Sequence, residues 1–343
     1  MIFNLFLALI SFIYLTFLNT ILKRLDFCLD KTSTEEKHKE LLSLNQKVPL
    51  SGSFYFILII FFLTYEKHIS IFIASLVFFC IGLLSDLKIT TSPKSRLLIQ
   101  FSILLLFLFF NKNLQIDTRI EHLNLLMEHE VFRILIISFF LLVLINGFNF
   151  IDGTNNLCSL NILIILIFLY FITKDIGFFE FETLINNLSL VLFIFIIFNF
   201  FGKNFLGDGG VYGLSFFIGI VAIKITQNSS QVSPYFIANL LWYPAFENLF
   251  SILRRILLNK KNYLADNFHL HQLLYKYLDN KKFFNKKYIL SSITGILINS
   301  YFLIFYLIGF NNYSDTKLQL FLIFTNITIY LFIYYKLKKK FND

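Results

Sequence analysis

The sequence predicts an all-α, polytopic integral membrane protein of about eleven transmembrane helices, with its N-terminus outside and its C-terminus inside. Three observations carry this expectation. Of 343 residues, 57% are hydrophobic and only 15% charged, with a mean hydropathy of +0.71; soluble domains carry about 25% charged residues. Apolar runs of about 15–22 residues recur between short polar stretches, which is the length a helix needs to cross a bilayer. Lys and Arg, finally, are shared very unevenly among the connections.

Taken in order, spans are expected at 1–22, 51–65, 70–85, 97–111, 131–148, 157–173, 185–201, 211–226, 234–252, 288–310 and 318–335. Lipid offers no partner to a bare backbone group, so each run folds as a helix. The first lacks a basic leader and a small-residue cleavage site, and reads as a retained span rather than a signal peptide. With the N-terminus outside, the inside segments are 23–50, 86–96, 149–156, 202–210, 253–287 and 336–343. These hold 23 of the 30 Lys and Arg residues, a bias that sets the orientation. No internal repeat or soluble domain is visible, so residues 1–343 read as a single multi-spanning domain. Cys28, Cys80 and Cys158 have no paired spacing, which argues against a disulfide framework or a thiolate metal site. The 47 phenylalanines accompany abundant Ile, Asn, Lys and Tyr, as an AT-rich genome encodes, and individually carry little weight.

Four polar clusters interrupt this apolar pattern: GLLSDLKITTSPKSR (82–96), NGFNFIDGTNN (146–156), FLGDGGVYG (205–213) and ADNFHLHQ (265–272). All lie on or beside inside connections, which points to one site on one membrane face. Asp86, Asp152 and Asp208 each fall at the inside end of a different span. Carboxylates are hard ligands suited to Mg²⁺, which takes one or two of them and shares substrate phosphates. An interfacial aspartate can equally be a cap or turn former. The glycines beside Asp152 and Asp208 favour the functional reading, because glycine lets a phosphate or ion approach the backbone.

Asn146, Asn149 and Asp152 are spaced i, i+3, i+6 and form one polar stripe on a helix. Their amides can order a carboxylate or hold ligand oxygens, or simply bond between helices, worth about 0.6 kcal/mol per contact in membranes. His269 and His271, near Arg254, Arg255 and several lysines, suit a polyphosphate; a zinc site lacks a clear third ligand. The same basic loop also suits anionic headgroups. Lys94 and Arg96 can contact phosphate or anchor the next span. Lys224 lies near the outer end of its span, where it can snorkel.

Together these residues resemble the polyprenyl-phosphate sugar-1-phosphate transferases (glycosyltransferase family 4), the family of undecaprenyl-phosphate GlcNAc-1-phosphate transferases and phospho-MurNAc-pentapeptide translocases. KHKELLSLNQKVPLSG (37–52) is similar to the family's early segment ending in Pro-x-x-Gly-Gly, with Ser53 at the second glycine. GLLSD resembles Gly-x-x-Asp-Asp, NGFNFIDGTNNL the family's Asn- and Asp-rich motif, FLGDGG its Phe-Met-Gly-Asp-x-Gly motif, and FHLHQ its late histidine motif. Five similarities occur in family order on one face.

The resemblance implies transfer of a sugar-1-phosphate, an N-acetylated hexosamine phosphate, from a UDP-sugar to undecaprenyl phosphate. UMP is released, and a lipid-linked cell-surface glycan such as O-antigen or another envelope polysaccharide is initiated. It implies Mg²⁺, with Mn²⁺ as an alternative, and a bacterial cytoplasmic membrane location with the active site facing the cytoplasm. The partners are the UDP-sugar, the polyprenyl phosphate and membrane lipid, without nucleic acid; a homodimer stays open. Residue by residue, Asp208 and Asp152 would hold the metal, Asp86 and Asp152 would serve the chemistry, and Asn155 falls where the family reads uridine. His269 and His271 would hold the diphosphate, with Asn146, Asn149, Lys94 and Arg96 also contacting substrate.

Two departures stand out. Ser85 occupies the place of the first aspartate of the pair, often proposed as general base. A phosphate monoester has a second pKa of about 6, so the attacking oxygen is already largely ionised without one. Asn155 and Asn156 replace Asp-Gly, which points to altered nucleotide contacts or subgroup variation. Two other readings compete: a transporter or flippase for a phosphorylated or lipid-linked substrate, and a family member that has lost catalysis. Transporters place polar groups near the midplane and often show repeats, unlike the one-sided clusters here.

Overall fold

The apolar runs do fold as helices. A computed structural model describes residues 2–30, 47–64, 68–90, 92–257 and 268–342. In chain order the elements are α1 (Ile2–Arg24), β1 (Leu29–Asp30), β2 (Val48–Pro49), α2 (Gly52–Thr64), α3 (Ile69–Asp86), α4 (Pro93–Phe110) and α5 (Glu121–Glu128). Then come α6 (Glu130–Ile151), α7 (Leu157–Asp175), α8 (Phe179–Phe200), α9 (Gly207–Asn228), α10 (Pro234–Leu240) and α11 (Trp242–Leu257). The chain closes with α12 (Leu270–Asn280), α13 (Lys287–Phe310) and α14 (Thr316–Asn342). The architecture is that of an all-α, multi-pass membrane protein.

Among the described residues, nine helices are long and apolar enough to cross a membrane by length and composition: α1, α3, α4, α6, α7, α8, α9, α13 and α14. Two of the expected spans differ. The described part of α2 has 13 residues, about 20 Å at 1.5 Å per residue, short of the roughly 30 Å hydrocarbon core. The expected span 234–252 is two helices, α10 and α11, parted at Leu241. Pro244 is the cause: it lacks an N–H, and its ring crowds the carbonyl four residues back, that of Leu240, where α10 ends. Helices α5 and α12 fall within stretches the sequence reading left as connections.

Lipid exposure is legible on the outer surfaces. Leu5 and Phe6 of α1, Phe110 of α4, and Phe324 and Phe332 of α14 are all more than half exposed. Helix α11 is inverted relative to a soluble amphipathic helix. It buries Glu247, Asn248, Ser251, Arg254 and Arg255, and turns Leu249, Leu253, Ile256 and Leu257 outward. Such a helix faces apolar surroundings outside and a polar site within.

At the centre stands α9, whose Leu214, Phe216, Ile218, Ile220 and Val221 are wholly buried. Helix α3 packs along it so closely at Gly82 that a Cβ there would lie 2.3 Å from the backbone of Gly209. A two-residue antiparallel ladder pairs Leu29 with Pro49 and Asp30 with Val48. Next to it, Phe205 N donates to Pro49 O (2.9 Å) and Gly52 N to Phe205 O (3.2 Å), which pins the chain before α2 to the start of α9. Buried amides join other helices, as where Asn161 Nδ2 donates to Asn299 Oδ1 (3.0 Å) and Asn239 Nδ2 to Gln319 Oε1 (3.1 Å).

The close contact of α3 with α9 yields a stability prediction. Gly82→Ala forces a methyl against backbone that cannot step aside, and should cost about 1–3 kcal/mol. Thermal unfolding of the purified protein in detergent should show a lower midpoint; an unchanged midpoint would contradict the contact.

Candidate active site

The C-terminal ends of α3, α6, α8 and α11 and the N-terminal ends of α2, α4, α7, α9 and α12 meet at one end of the bundle. There they enclose a pocket of about 470 Å³ whose walls include Ser85, Asp86, Arg96, Asn149, Asp152, Asn155, Asp208, Arg255, His269 and His271. The four polar clusters, far apart in sequence, thus converge. A larger hollow of about 830 Å³ lies at the opposite helix ends, lined by Lys112, Glu180 and Lys224 among aromatic residues. Two of its charges are engaged locally, Glu180 with His68 (3.3 Å) and Lys112 with Glu130 (2.8 Å), and no aspartate lines it. Asp86, Asp152 and Asp208 all line the smaller pocket.

Asp208 lies in the first turn of α9. Its Oδ2 accepts from Ser85 Oγ at 2.6 Å and from Arg96 Nη1 at 2.9 Å, while Arg96 Nη1 also reaches Ser85 Oγ at 2.5 Å. Asp86, the last residue of α3, accepts the backbone N–H of Asp208 on Oδ1 (2.9 Å) and that of Gly209 on Oδ2 (3.2 Å). A carboxylate from one helix therefore caps the N-terminus of another, satisfying orphan donors and favoured by the helix dipole. Asp86 thus takes the capping role weighed for it in the sequence, and its partner is the backbone of Asp208 and Gly209.

Asp152 follows the last turn of α6. It keeps part of its surface open to the pocket, yet burial, then Asp208, then Asp86 push its carboxyl well above the ordinary value of 3.8. With Asp30, the pocket wall holds four carboxylates, and one of them, Asp152, is driven toward its neutral form by burial and its neighbours. Among the described residues, no group of three or more His, Cys, Asp or Glu side chains is arranged to hold a metal by itself.

The asparagines separate. Asn149 lines the pocket and donates to Tyr212 OH at 3.4 Å. Asn146, one turn deeper, instead donates to Gln100 Oε1 of α4 at 2.8 Å, the interhelical alternative weighed above, and it is not part of the pocket wall. Asn155 is 2% exposed with both side-chain amide atoms unpartnered, its backbone N held by Ser291 Oγ at 2.9 Å. Asn156 adopts a left-handed φ of 62° and donates its N–H to Asn199 Oδ1 at 2.6 Å, which locks the turn that presents Asn155. Lys94 is exposed and outside the pocket wall, whereas Arg96 is in it.

Arg254 organises the histidine segment by donating from Nη1 to Phe268 O (2.7 Å) and Tyr334 OH (3.0 Å). His269 stacks between Phe150 and His271, with ring centroids 5.3 and 5.6 Å away. His271 is buried with both ring nitrogens unpartnered; burial and His269 push its pKa down to about 3, so the ring is neutral. A Cβ on Gly153 would lie 2.2 Å from His271 Nε2, and glycine is what admits that ring. Arg255 stacks 5.6 Å over Phe150. The stretches 31–46 and 258–267, parts of two inside connections in the sequence reading, lie outside the described residues.

Sequence reasoning missed Glu247, Gln100 and Tyr330. Glu247 had a signal: it is the one acidic residue in the apolar run 234–252, and an ionisable residue in a span is a functional pointer by default. Tyr330 and Gln100 had none, because each gains meaning only from its partner.

A multi-helix membrane protein with carboxylates, guanidinium groups and imidazoles gathered in one terminal pocket is equipped to bind and rearrange phosphates. Comparison with known proteins gives two matches. Residues 68–226, from α3 to α9, match the sequence model of glycosyl transferase family 4. The chain is also 26% identical over 187 residues to the phospho-N-acetylmuramoyl-pentapeptide-transferase of Dictyoglomus thermophilum, covering 51% of this chain and 58% of that relative's length. Over its central stretch the chain is thus similar to glycosyl transferase family 4, and it spans little more than half the length of the relative it matches. The family match contains Asp86, Arg96, Asp152, Asn155 and Asp208, and ends before Glu247, His269 and His271.

Two predictions follow from this geometry. The folded state holds the Asp152 proton more tightly than the unfolded chain does, so stability falls as pH rises from 3.8 through the folded value. In chelator, Asp152→Asn should remove that loss and raise the neutral-pH melting midpoint by about 2–4 °C; a lower midpoint would refute the repulsion. Gly153→Ala should displace the His271 ring and lower turnover by about tenfold or more, with a smaller effect on the melting midpoint. Full activity in that variant would remove His271 from the site.

Proposed function

We propose that this protein transfers a sugar-1-phosphate from a UDP-sugar to a polyprenyl phosphate such as undecaprenyl phosphate. An oxygen of the lipid phosphate attacks the sugar-bearing phosphorus of the nucleotide sugar. A new P–O bond forms, the bond to the bridging oxygen of the UMP moiety breaks, and UMP leaves. The observation that carries this reading is the convergence of Asp152, Asp208, Arg96, Arg255, His269 and His271 in one pocket at the helix ends. A lipid-borne phosphate and a water-soluble nucleotide can meet at such a place.

The chemistry asks mainly for charge neutralisation and in-line positioning. Arg96 and Arg255 supply fixed positive charge, with Arg96 already bound to Asp208 through Nη1. His271, neutral and buried, can donate one N–H to a phosphate oxygen without adding charge. Asn155, with a buried donor and acceptor both unpartnered, suits the imide edge of a uracil ring, which carries one donor between two acceptors. Asn149, at the pocket wall, can hold a sugar or phosphate oxygen.

The residues fit a divalent cation. Mg²⁺ needs one or two carboxylates and takes its remaining ligands from water and substrate phosphate. Asp152 and Asp208 would hold it, consistent with the upward push on the Asp152 carboxyl. When bound, the cation would neutralise phosphate charge during transfer. Ser85 in place of a carboxylate leaves Arg96 and Asp208 as a bridged pair and asks the lipid phosphate to attack in its ionised form. The donor is an N-acetylhexosamine nucleotide by family resemblance, and the product would initiate an envelope glycan on the cytoplasmic face.

The test is UMP release by purified protein from a panel of UDP-sugars, with undecaprenyl phosphate and Mg²⁺. Release should require both lipid and metal, and Asp208→Asn should lower it by about 10²-fold or more. No release from any donor by folded protein would favour transport or a noncatalytic role, while release unaffected by Asp208→Asn would misplace the site.

A further inference from the structure

Glu247 is wholly buried in the middle of α11, yet it touches two polar groups from other parts of the chain. Its Oε1 lies 2.8 Å from His269 Nδ1, and its Oε2 accepts from Tyr330 OH of α14 at 2.5 Å. A carboxylate taken fully out of water needs such partners to be tolerated at all. His269 is itself held: its ring stacks on Phe150 and His271, and its backbone N–H donates to Gln272 Oε1 at 3.1 Å. The ring forms part of the pocket wall. A buried carboxylate behind an imidazole that faces a ligand pocket selects the ring's tautomer, fixes its plane and strengthens it as a partner for anions.

We propose that Glu247, supported by Tyr330, is a positioning residue: it holds the Nδ1–H of His269 so that the imidazole meets the diphosphate of the nucleotide-sugar donor in one fixed orientation. This rests on the transferase reading and adds to it a residue behind the pocket wall, beyond the stretch that matches the family. Neither Glu247 nor Tyr330 is in the pocket wall, so each acts through His269. Their arrangement differs from Asn161–Asn299 and Asn239–Gln319, which join uncharged amides between helices; here the carboxylate is coupled to a residue of the site.

Two measurements test it. In protein carrying ¹⁵N-labelled histidine in lipid nanodiscs, ring-nitrogen NMR should show His269 protonated at Nδ1, its signals assigned by their loss in His269→Gln. A ring protonated only at Nε2 would overturn the proposal without any appeal to activity. In kinetics, Glu247→Gln should raise KM for the UDP-sugar about 10–100-fold and leave KM for polyprenyl phosphate unchanged, with Tyr330→Phe intermediate. A merely structural role would reduce the active fraction and leave both KM values in place, and that result would overturn the proposal. Should Glu247→Gln not fold, Tyr330→Phe and the wild-type NMR decide. Wild-type protein inactive with every donor would sink the transferase reading and this proposal with it. An active wild type with a donor KM indifferent to Glu247→Gln would sink this proposal alone.

Discussion

The start of α9 is the point on which the site depends. Its first N–H groups face the end of α3, where the Asp86 carboxylate accepts from Asp208 and Gly209. That bond forms because Gly82 and Gly209 let the two helix backbones touch, and because a carboxylate is well placed against the positive end of a helix. Once α9 is seated, Asp208 projects from its first turn toward Ser85 and Arg96. The short pairing of Pro49 and Gly52 with Phe205 secures the same spot from the other side. Moving this junction would displace Asp86 and Asp208 together.

The second organising constraint is the burial of charge in an apolar setting. Helix α11 turns its charged face inward and its leucines and isoleucines outward. It thereby brings Arg254, Arg255 and Glu247 to the same end of the bundle as the aspartates. Each buried charge has specific partners: Arg254 with Phe268 O and Tyr334, Arg255 over Phe150, Glu247 with His269 and Tyr330. These contacts carry the histidine segment onto Gly153 and close one wall of the pocket. The fold and the site are thus one structure, in which polar groups tolerated for their chemistry also lock the helices.

Much of this was legible in the sequence, for reasons that differ by element. The long helices follow from hydropathy alone, since a run such as 131–148 has no other stable form in lipid. The convergence of Asp86, Asp152, Asp208 and His269 followed from charge bias, which placed their connections on one side. The break at Leu241 was written in Pro244, but a window of apolar residues masks a single missing N–H. Asn146 and Asn149 share a stripe, and only packing decides that one meets Gln100 while the other reaches the pocket. Asp86 looked like chemistry and proved also to be a cap, a distinction that needs the partner helix in view. Glu247 was visible as a lone acid in an apolar run, but its partners His269 and Tyr330 are 22 and 83 residues away.

The central claim is that phosphorus moves with the sugar from nucleotide to lipid. Incubating the protein with undecaprenyl phosphate, Mg²⁺ and a UDP-sugar labelled with ³²P at the sugar-bearing phosphate tests this directly. The account predicts that the label passes into the organic-extractable lipid, in step with the release of unlabelled UMP. Label remaining in water as UDP or inorganic phosphate, while sugar enters the lipid or is hydrolysed, would contradict it.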